Sequence, residues 1–210
     1  MAKFYDVSMP IHVGMPVYKN REENRPHLEV IRDFSQGAFE TRLHLYMHSG
    51  THMDAPYHFI STGEKIDTVT LDEVIRPCRV LDLTHVSGEI TPGDLEVKGI
   101  QAGEFVLLKT RNSFQDGFVP DFVFLGTDGA KYLVNREVKG VGIDALSIER
   151  DQPGHTTHHL LLGADILIIE GLRLADVPEG TYMMLAAPLE VVGAEAAPVR
   201  VVLVEGRLEP

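Results

Sequence analysis

Residues 39–59 read FETRLHLYMHSGTHMDAPYHF. In residues 39–47 the odd positions carry apolar side chains or threonine, while the even positions carry a carboxylate, a guanidinium, an imidazole and a phenol. This period of two is typical of a β-strand with one buried face. A compact group of three histidines and one aspartate follows at once: His48, His52, Asp54 and His58. The stretch therefore predicts a half-buried strand that ends in a cluster of side chains suited to chemistry.

The spacing of these four residues predicts how the chain must run. All four have even numbers, so an extended chain would direct their side chains to one side. His48 and His52 would nevertheless lie roughly 13 Å apart in a fully extended chain, whereas a metal ion holds its ligand atoms at roughly 2.0–2.2 Å. The chain must therefore bend, and Gly50 is the residue best suited to the bend. Because Gly50 and Pro56 disfavour a helix, we expect a bent strand end with convergent side chains.

Two imidazoles and one carboxylate form a ligand set for a divalent metal ion. His48, His52 and Asp54 suit Zn²⁺, Mn²⁺ or Fe²⁺. Three protein ligands leave at least one coordination position open to water, which distinguishes a catalytic site from a structural one. A bound metal ion lowers the pKa of such a water toward about 7. His58 follows four residues after Asp54, and the unperturbed histidine pKa of about 6.5 suits a general acid and base.

A second group of polar side chains lies downstream, where His155, His158 and His159 precede Glu170. Glu170 ends the aliphatic run 166–169, and a carboxylate at the end of a buried strand is costly unless it is paired or bound to a cation. A solvated strand end is the alternative. With a metal ion at the first cluster, His158 and Glu170 become candidates for holding a second ion or for its outer shell.

Short aliphatic runs alternate with short helical patterns along the rest of the chain. Beside 39–47, strands are predicted over 4–11, 79–84, 105–110, 140–144, 166–170 and 199–204, with an extended segment over 15–18. A helix is predicted after Thr91, which is followed by Pro92, and another over 128–138. Many strands with few long helices predict a mixed α/β or α+β fold with a dominant sheet. The length of 210 residues favours one domain, 1–210.

Composition excludes several classes of function. The formal net charge of −12 and the absence of any lysine and arginine cluster make nucleic acid an unfavourable partner. Glycine-rich phosphate loops are absent, so nucleotide cofactors have no support. No apolar run approaches the roughly 20 residues of a membrane span, and residues 1–11 lack a signal-peptide pattern. Cys78 is the one cysteine, and we expect it to be buried rather than nucleophilic. We expect a soluble, cytoplasmic protein without a membrane partner.

The stretch from His48 to Phe59 resembles the signature of the bacterial cyclase / kynurenine formamidase family of metal-dependent hydrolases. The family pattern His-x-Gly-Thr-His-x-Asp-Ala-Pro-x-His is matched at every fixed position. The opening residues 5–11 are similar to the family's first strand. Residues 140–144 and the segment from His158 through Leu172 are similar to its later blocks, so the resemblance extends over most of the chain.

The resemblance implies a swivelling β/β/α-type single domain with a mixed β-sheet core and flanking helices. It also implies a homo-oligomer, a homodimer or homotetramer, with active sites near subunit interfaces. By position, His48, His52 and Asp54 would hold one metal ion, and Asp54 would bridge to a second. His158 rather than His159 would hold that second ion, because its spacing from Glu170 fits the family block. Glu170 would be the other ligand, and His58 would be the catalytic acid and base.

The implied activity is hydrolysis of an amide bond by metal-bound hydroxide, with Zn²⁺ or Mn²⁺ as one or two ions per subunit. An arylformamidase would convert N-formylkynurenine into kynurenine and formate. The alternatives are a hydrolase of cyclic amides such as isatin, a metal-dependent cyclase or lyase and, outside enzymes, a non-catalytic metal-binding protein. The substrate-binding residues are not identified by the resemblance. We hypothesise that Arg111, with its neighbours Asn112 and Ser113, reaches a substrate carboxylate.

Overall fold

Thirteen strands and four short α-helices form the regular structure of the computed structural model, which describes residues 1–206. The strands are β1 Lys3–Asp6, β2 His27–Arg32, β3 Glu40–His44, β4 His52–Asp54, β5 Ile75–Asp82, β6 Glu89–Ile90, β7 Phe105–Lys109, β8 Phe124–Leu125, β9 Gly140–Ile143, β10 Leu167–Glu170, β11 Gly180–Leu185, β12 Ala196–Pro198 and β13 Val202–Glu205. The helices are α1 Leu71–Val74, α2 Pro92–Glu96, α3 Thr127–Asn135 and α4 Thr156–Gly163.

Nine of these strands form one mixed sheet in the order β1-β13-β11-β5-β7-β9-β10-β4-β12. Its centre, β5-β7-β9-β10, is parallel, and the flanking strands are antiparallel. Strands β7, β9 and β10 are buried along their whole length, which explains their largely apolar sequences. The mixed α+β domain predicted from the alternating patterns is confirmed, with a large sheet and few helices.

Alternate residues of the central strands enter two separate cores. On one side of the sheet, Val106 and Leu108 of β7 pack in a core with Leu133 of α3 and Leu161 of α4. On the other side, Leu107 packs in a core built from the flanking antiparallel strands. Each face of the sheet is thus covered, and the two helices close one of them. This packing fixes the positions of α4 and of the adjacent ends of β4 and β10.

The Thr91–Pro92 signal correctly places a helix start. Thr91 and Asp94 form a capping box at the first turn of α2, and Pro92 occupies its beginning. The predicted helix over 128–138 corresponds to α3. The buried, inert state expected for Cys78 is also confirmed: it is 2% exposed, and burial raises the pKa of its thiol to about 12.

One prediction about burial is wrong. Residues 39–47 form strand β3 only over Glu40–His44, and β3 pairs only with β2, in a two-stranded ribbon outside the main sheet. Phe39 is 51% exposed and Leu43 is 46% exposed, so no core of the described residues covers this apolar face. The alternation of apolar and polar residues predicts that a strand has an apolar face, but it does not predict which part of the protein covers that face.

Two glycines bring the strand ends together at the predicted cluster. Gly50 has φ +72° and supplies the bend between His48 and His52. Gly171, with φ +71°, follows β10, and a Cβ there would come within 2.3 Å of the Gly50 carbonyl oxygen. Only glycine fits such an approach.

Among residues 1–206, no helix is long and apolar enough to cross a membrane.

Candidate metal centre

The backbone pairing of β4 with β10 assembles the first part of the candidate site. His52 lies directly opposite Glu170 in the antiparallel register, and Asp54, two residues along β4, shares the same face. The turn before β4 is tied down by Thr51, whose Oγ1 donates to the Gly171 carbonyl at 2.7 Å and accepts from the Met9 amide at 2.7 Å. Sheet register therefore holds these side chains in place.

Asp54 lies at the centre of the cluster. Its Oδ1 is 3.0 Å from Nδ1 of His48 and 3.5 Å from Nε2 of His52. Nε2 of His52 is also 3.4 Å from Oε2 of Glu170. The other carboxylate oxygen, Oδ2, is 3.9 Å from Nε2 of His158, which is itself 3.2 Å from Oε1 of Glu170. The structure thus brings all five predicted ligands together around the two oxygens of one carboxylate.

The two adjacent histidines differ in their surroundings on α4. His158 is 4% exposed and is directed at Glu170 and Asp54. His159 is exposed, and its ring centroid lies 5.3 Å from that of Phe59. Successive helix residues point about 100° apart, so only one of the two can enter the cluster. His158 is the residue that the spacing to Glu170 also favoured.

The donor atoms fit a divalent metal ion. Nε2 of His52 and both carboxylate oxygens of Asp54 are buried and lack a hydrogen-bond partner among the described residues. The contact between His48 and Asp54 is short, but its geometry is not that of a hydrogen bond. Buried polar atoms are rarely left unpaired, because this costs about 1–3 kcal/mol for each group. Buried nitrogen and oxygen atoms that converge without hydrogen bonds between them are the arrangement that a bound cation satisfies.

The electrostatics of the cluster match this donor set. Burial alone would lower the pKa of His52 and His158, but contacts with the neighbouring carboxylates raise these values to about 9 and about 10. Burial would raise the pKa of Asp54 and Glu170, yet the imidazoles lower that of Asp54 far below its usual range and that of Glu170 to about 2. Without metal, protons on the imidazoles therefore balance the two carboxylates. A dication would replace those protons.

His58 differs from the other imidazoles. It ends the 3₁₀ turn Pro56–His58, and its ring lies over His48 with 4.1 Å between ring centroids. Burial and nearby imidazoles lower its pKa to about 4, although Asp54 opposes this shift. His58 is therefore neutral near pH 7, and it borders the open side of the cluster. These are properties of a proton acceptor rather than of a paired ligand.

In each predicted histidine ligand, an oxygen atom lies against the ring nitrogen that faces away from the cluster. The residues that supply these oxygen atoms were not identified from the sequence. Nδ1 of His52 lies 3.1 Å from the Gly50 carbonyl, and Nε2 of His48 lies 3.2 Å from Oε1 of Glu195. Glu149 occupies the corresponding place behind His158. Neither glutamate belongs to a motif, and each reaches the site through tertiary folding. The only available signal was the proximity of Glu149 to His155 in the chain.

A cleft of about 730 Å³, open to solvent, leads to the cluster. Its apolar and aromatic lining includes Tyr18, Tyr46 and Phe59, and Arg21 is the only arginine or lysine of residues 1–206 that lines it. Arg111, which we expected near a substrate carboxylate, does not line this cleft and lies 3.7 Å from Asp121 instead. Its neighbours Asn112 and Ser113 are buried and hydrogen-bonded to Asp144. The helical turn 111–114 therefore has a structural role.

A mixed α+β domain with a buried histidine and carboxylate cluster beneath an open cleft is the architecture of metal-dependent hydrolases. Comparison with known proteins narrows this class. The sequence profile of the family described as "Putative cyclase" matches residues 5–150. The chain belongs to this cyclase family.

Relatives and solved structures agree with this assignment. A kynurenine formamidase from Sphingopyxis alaskensis is 32% identical over 207 residues, which cover 98% of this chain and 99% of the relative. A solved "potential metal-dependent hydrolase with cyclase activity" is 48% identical, covers 99% of this chain and 100% of its own, and superposes with a TM-score of 0.94. Isatin hydrolase A from Labrenzia aggregata shares the fold, with a TM-score of 0.86, 22% identity, and coverage of 97% and 93%.

Proposed function

We propose that this protein is a metal-dependent hydrolase of non-peptide amide bonds, an arylformamidase that converts N-formylkynurenine into kynurenine and formate. One observation carries the proposal: buried, unpaired ligand atoms around Asp54 lie next to a neutral histidine, His58, at the base of an open cleft. Full-length similarity to kynurenine formamidases at 32% identity supports the same chemistry.

Two groups of residues in the cluster would hold metal ions in this proposal. His48, His52 and Asp54 would hold one ion, and Asp54, His158 and Glu170 would hold a second. The two carboxylate oxygens face different imidazoles, which supports this division. Imidazole and carboxylate ligands suit Zn²⁺ or Mn²⁺. When bound, such ions polarise the scissile carbonyl and acidify a water molecule.

His58 moves the proton in the proposed reaction. Its neutral ring accepts a proton from the attacking water as the water oxygen bonds to the formyl carbon. The resulting imidazolium then donates that proton to the aniline nitrogen as the carbon–nitrogen bond breaks. The depressed pKa of His58 keeps the free ring unprotonated near pH 7 and makes the transient imidazolium a strong proton donor to the leaving nitrogen.

Arg21 supports a substrate that carries a carboxylate. Its guanidinium has no ion-pair or hydrogen-bond partner in the described part of the chain, although it lines the cleft. The segment that carries it is well anchored, since Arg25 donates to the Met15 carbonyl at 2.8 Å and Ser49 donates to the Asn24 carbonyl at 2.7 Å. Arg21 thus offers a positive charge in a cleft with aromatic walls, which fits an aryl amide with an acidic group.

A cyclic amide of the isatin type is the second candidate. The fold shared with isatin hydrolase A favours it, because ring opening needs the same attack on an amide carbonyl. An isatin-like substrate is neutral and would not use Arg21. The charge preference of the cleft therefore separates the two candidates.

The exposed apolar ribbon supports assembly of this chain into a homodimer or a homotetramer. Leu28 lies opposite Leu43 on the β2-β3 ribbon, and the rings of Phe34 and Phe39 lie 5.5 Å apart beside it. All four side chains are at least 46% exposed, although such surfaces are usually covered in assemblies. The occupant we propose is a second copy of the chain, in a cytoplasmic enzyme. Sedimentation of the protein as a monomer at assay concentration would contradict this assembly.

The test of function compares three substrates. Protein stripped of metal and reloaded with Zn²⁺ or Mn²⁺ is mixed with N-formylkynurenine, with neutral N-formylaniline and with isatin, in ¹⁸O-labelled water. We expect metal-dependent turnover of N-formylkynurenine with ¹⁸O in the formate. No turnover of N-formylkynurenine by folded, loaded protein would contradict the formamidase assignment, and turnover of isatin alone would establish the second candidate.

Substitution of Arg21 sharpens this test. Arg21→Ala should raise the KM for N-formylkynurenine about tenfold, because a charge-assisted contact worth about 1.5 kcal/mol is lost. The KM for N-formylaniline should not change. Arg136→Ala is the matched control, since Arg136 lies against Tyr132 on α3 and does not line the cleft. Equal effects of Arg21→Ala on both substrates would contradict a carboxylate contact.

A further inference from the structure

Glu149 is a buried carboxylate that holds the beginning of helix α4. Its side chain is 3% exposed, although nothing in the sequence marks it. Oε2 accepts hydrogen bonds from the backbone amides of Thr157 and His158, at 3.1 Å and 3.3 Å. Oε1 lies 2.5 Å from Nδ1 of His155 and 3.3 Å from Nδ1 of His158. One oxygen therefore serves the backbone, and the other faces two imidazoles.

The contact with His158 lies on the far side of the ring from the cluster. Nε2 of His158 faces Glu170 and Asp54, while Nδ1 faces Glu149. Oε1 of Glu149 is within ion-pair distance of this Nδ1, although the geometry is not that of a hydrogen bond. No acceptor among residues 1–206 forms a hydrogen bond with this nitrogen.

The two other predicted imidazole ligands show the same arrangement. His52 has the Gly50 carbonyl behind it, and His48 has Glu195. A neutral imidazole has one bare nitrogen and one N–H, so an acceptor behind the ring determines which nitrogen is free for a metal ion. Glu149 differs from Glu195 in burial, since the Glu195 side chain is 36% exposed. A buried anion exerts a stronger field because water screens it less.

We propose that Glu149 is a positioning residue that keeps the proton of His158 on Nδ1 and thereby presents Nε2 to the second metal ion. This inference rests on the metal centre of the proposed function. Its test is binding, which needs no substrate, so it survives if the protein hydrolyses a different bond. The competing account is that Glu149 only caps the start of α4.

Glu149→Gln separates these two roles. The amide oxygen of glutamine can still accept the backbone hydrogen bonds at the start of α4, but the side chain has lost the charge that holds the imidazole proton. We expect Zn²⁺ to bind the His158 site about 10–100-fold more weakly, the usual cost of removing an outer partner of a ligand. The measurement is competition with a chromophoric chelator, together with the thermal midpoint of the metal-free protein to confirm folding.

His155→Ala is the matched control. It removes the other imidazole that contacts Oε1 of Glu149, and the His155 side chain is 59% exposed. Zn²⁺ affinity should stay within about twofold of the wild type, well below the outer-partner effect. The proposal is overturned if Glu149→Gln binds Zn²⁺ as the wild type does, or if His155→Ala loses as much affinity as Glu149→Gln.

A second measurement does not depend on the folding of any variant. Long-range ¹⁵N–¹H spectra of the histidine rings of the wild-type protein, with and without Zn²⁺, identify which nitrogen of each ring carries hydrogen. We expect loaded His158 to carry its proton on Nδ1 and to show a metal-shifted Nε2. A proton on Nε2, or His158 signals that do not respond to Zn²⁺, would overturn the proposal.

Discussion

Asp54 and Asp144 are both buried carboxylates, yet their surroundings are opposite. Asp144, after β9, is 5% exposed and accepts hydrogen bonds from the backbone and side chains of Thr110 and Ser113, at 2.6–3.2 Å, and one from Asn112 at 3.4 Å. Asp54 is fully buried, and neither of its oxygens has a hydrogen-bond partner among residues 1–206.

This difference separates a structural carboxylate from a proposed metal ligand. Asp144 has neutral donors on every side, and burial raises its pKa. Asp54 faces imidazole nitrogens instead, and these lower its pKa far below the usual range. A buried carboxylate with a purely structural role is satisfied by hydrogen bonds. A carboxylate that is left unsatisfied within reach of three imidazoles is kept ready for a cation.

Asp54→Asn should have the largest effect. It removes the shared ligand of both proposed ions, so Zn²⁺ affinity should fall by more than the roughly 100-fold that an outer partner contributes. Hydrolysis should fall with it. Metal content after equilibrium dialysis and kcat/KM for N-formylkynurenine are the measurements. The metal-free variant should still fold, and a variant that keeps its metal would contradict the role of Asp54.

His58→Ala should reduce kcat about 100-fold or more, the usual contribution of a general acid and base. Metal content should not change, because His58 is not one of the proposed ligands. Single-turnover kinetics on fully loaded protein provide the measurement. Loss of metal in this variant would instead make His58 a ligand, which its position beside His48 and Asp54 allows geometrically.

Asp144→Asn should lower stability and leave metal affinity unchanged, the reverse of what we expect for Asp54→Asn. The amide NH₂ would face the donors of Thr110 and Ser113, so the free energy of unfolding should fall by about 2–3 kcal/mol. Zn²⁺ affinity of the molecules that remain folded should be unchanged. Urea unfolding with and without metal checks both statements. A loss of metal affinity equal to that of Asp54→Asn would remove the distinction between the two carboxylates.

The pH dependence of metal binding has a definite sign. His52 and His158, with pKa values raised to about 9 and about 10, must lose protons to bind metal, so affinity should rise at least about tenfold per pH unit between pH 6 and 8.5.

The stability of the metal-free protein should depend on pH through the same histidines and through Glu170. In the metal-free protein the raised histidine pKa values stabilise the fold fully below about pH 6.5. This contribution is lost as the pH rises through 9 to 10. The carboxylate contribution of Glu170 is present above about pH 4.3 and is lost as the pH falls toward 2. Saturating Zn²⁺ should therefore raise the thermal midpoint more at pH 8.5 than at pH 6. Equal shifts at both values would contradict protonated ligands.

The contrast also explains what the sequence could predict. The motif from His48 to His58 carries its ligands within eleven residues, so local spacing and Gly50 were sufficient to predict a bent, convergent site. Continuous aliphatic runs such as 105–109 correctly predicted central strands, because such strands are buried on both faces.

The features that the sequence could not predict depend on contacts between segments that lie far apart in the chain. Glu195 reaches His48 from 147 positions away, and no pattern in its loop signals that contact. Arg111 looked suitable for a carboxylate, but the fold turns its neighbours toward Asp144, whereas Arg21, in an unremarkable segment, lines the cleft. The apolar face of β3 predicted burial, but only the tertiary structure shows that the other residues of 1–206 leave this face uncovered.

The most direct test of the central claim is anomalous diffraction at the zinc edge from crystals grown with Zn²⁺. We predict two peaks on opposite sides of the Asp54 carboxylate. One should lie within about 2.3 Å of donor atoms of His48 and His52, and the other within the same distance of His158 and Glu170. Crystals saturated with Zn²⁺ that show no peak at Asp54, or a zinc ion held by other residues, would contradict it.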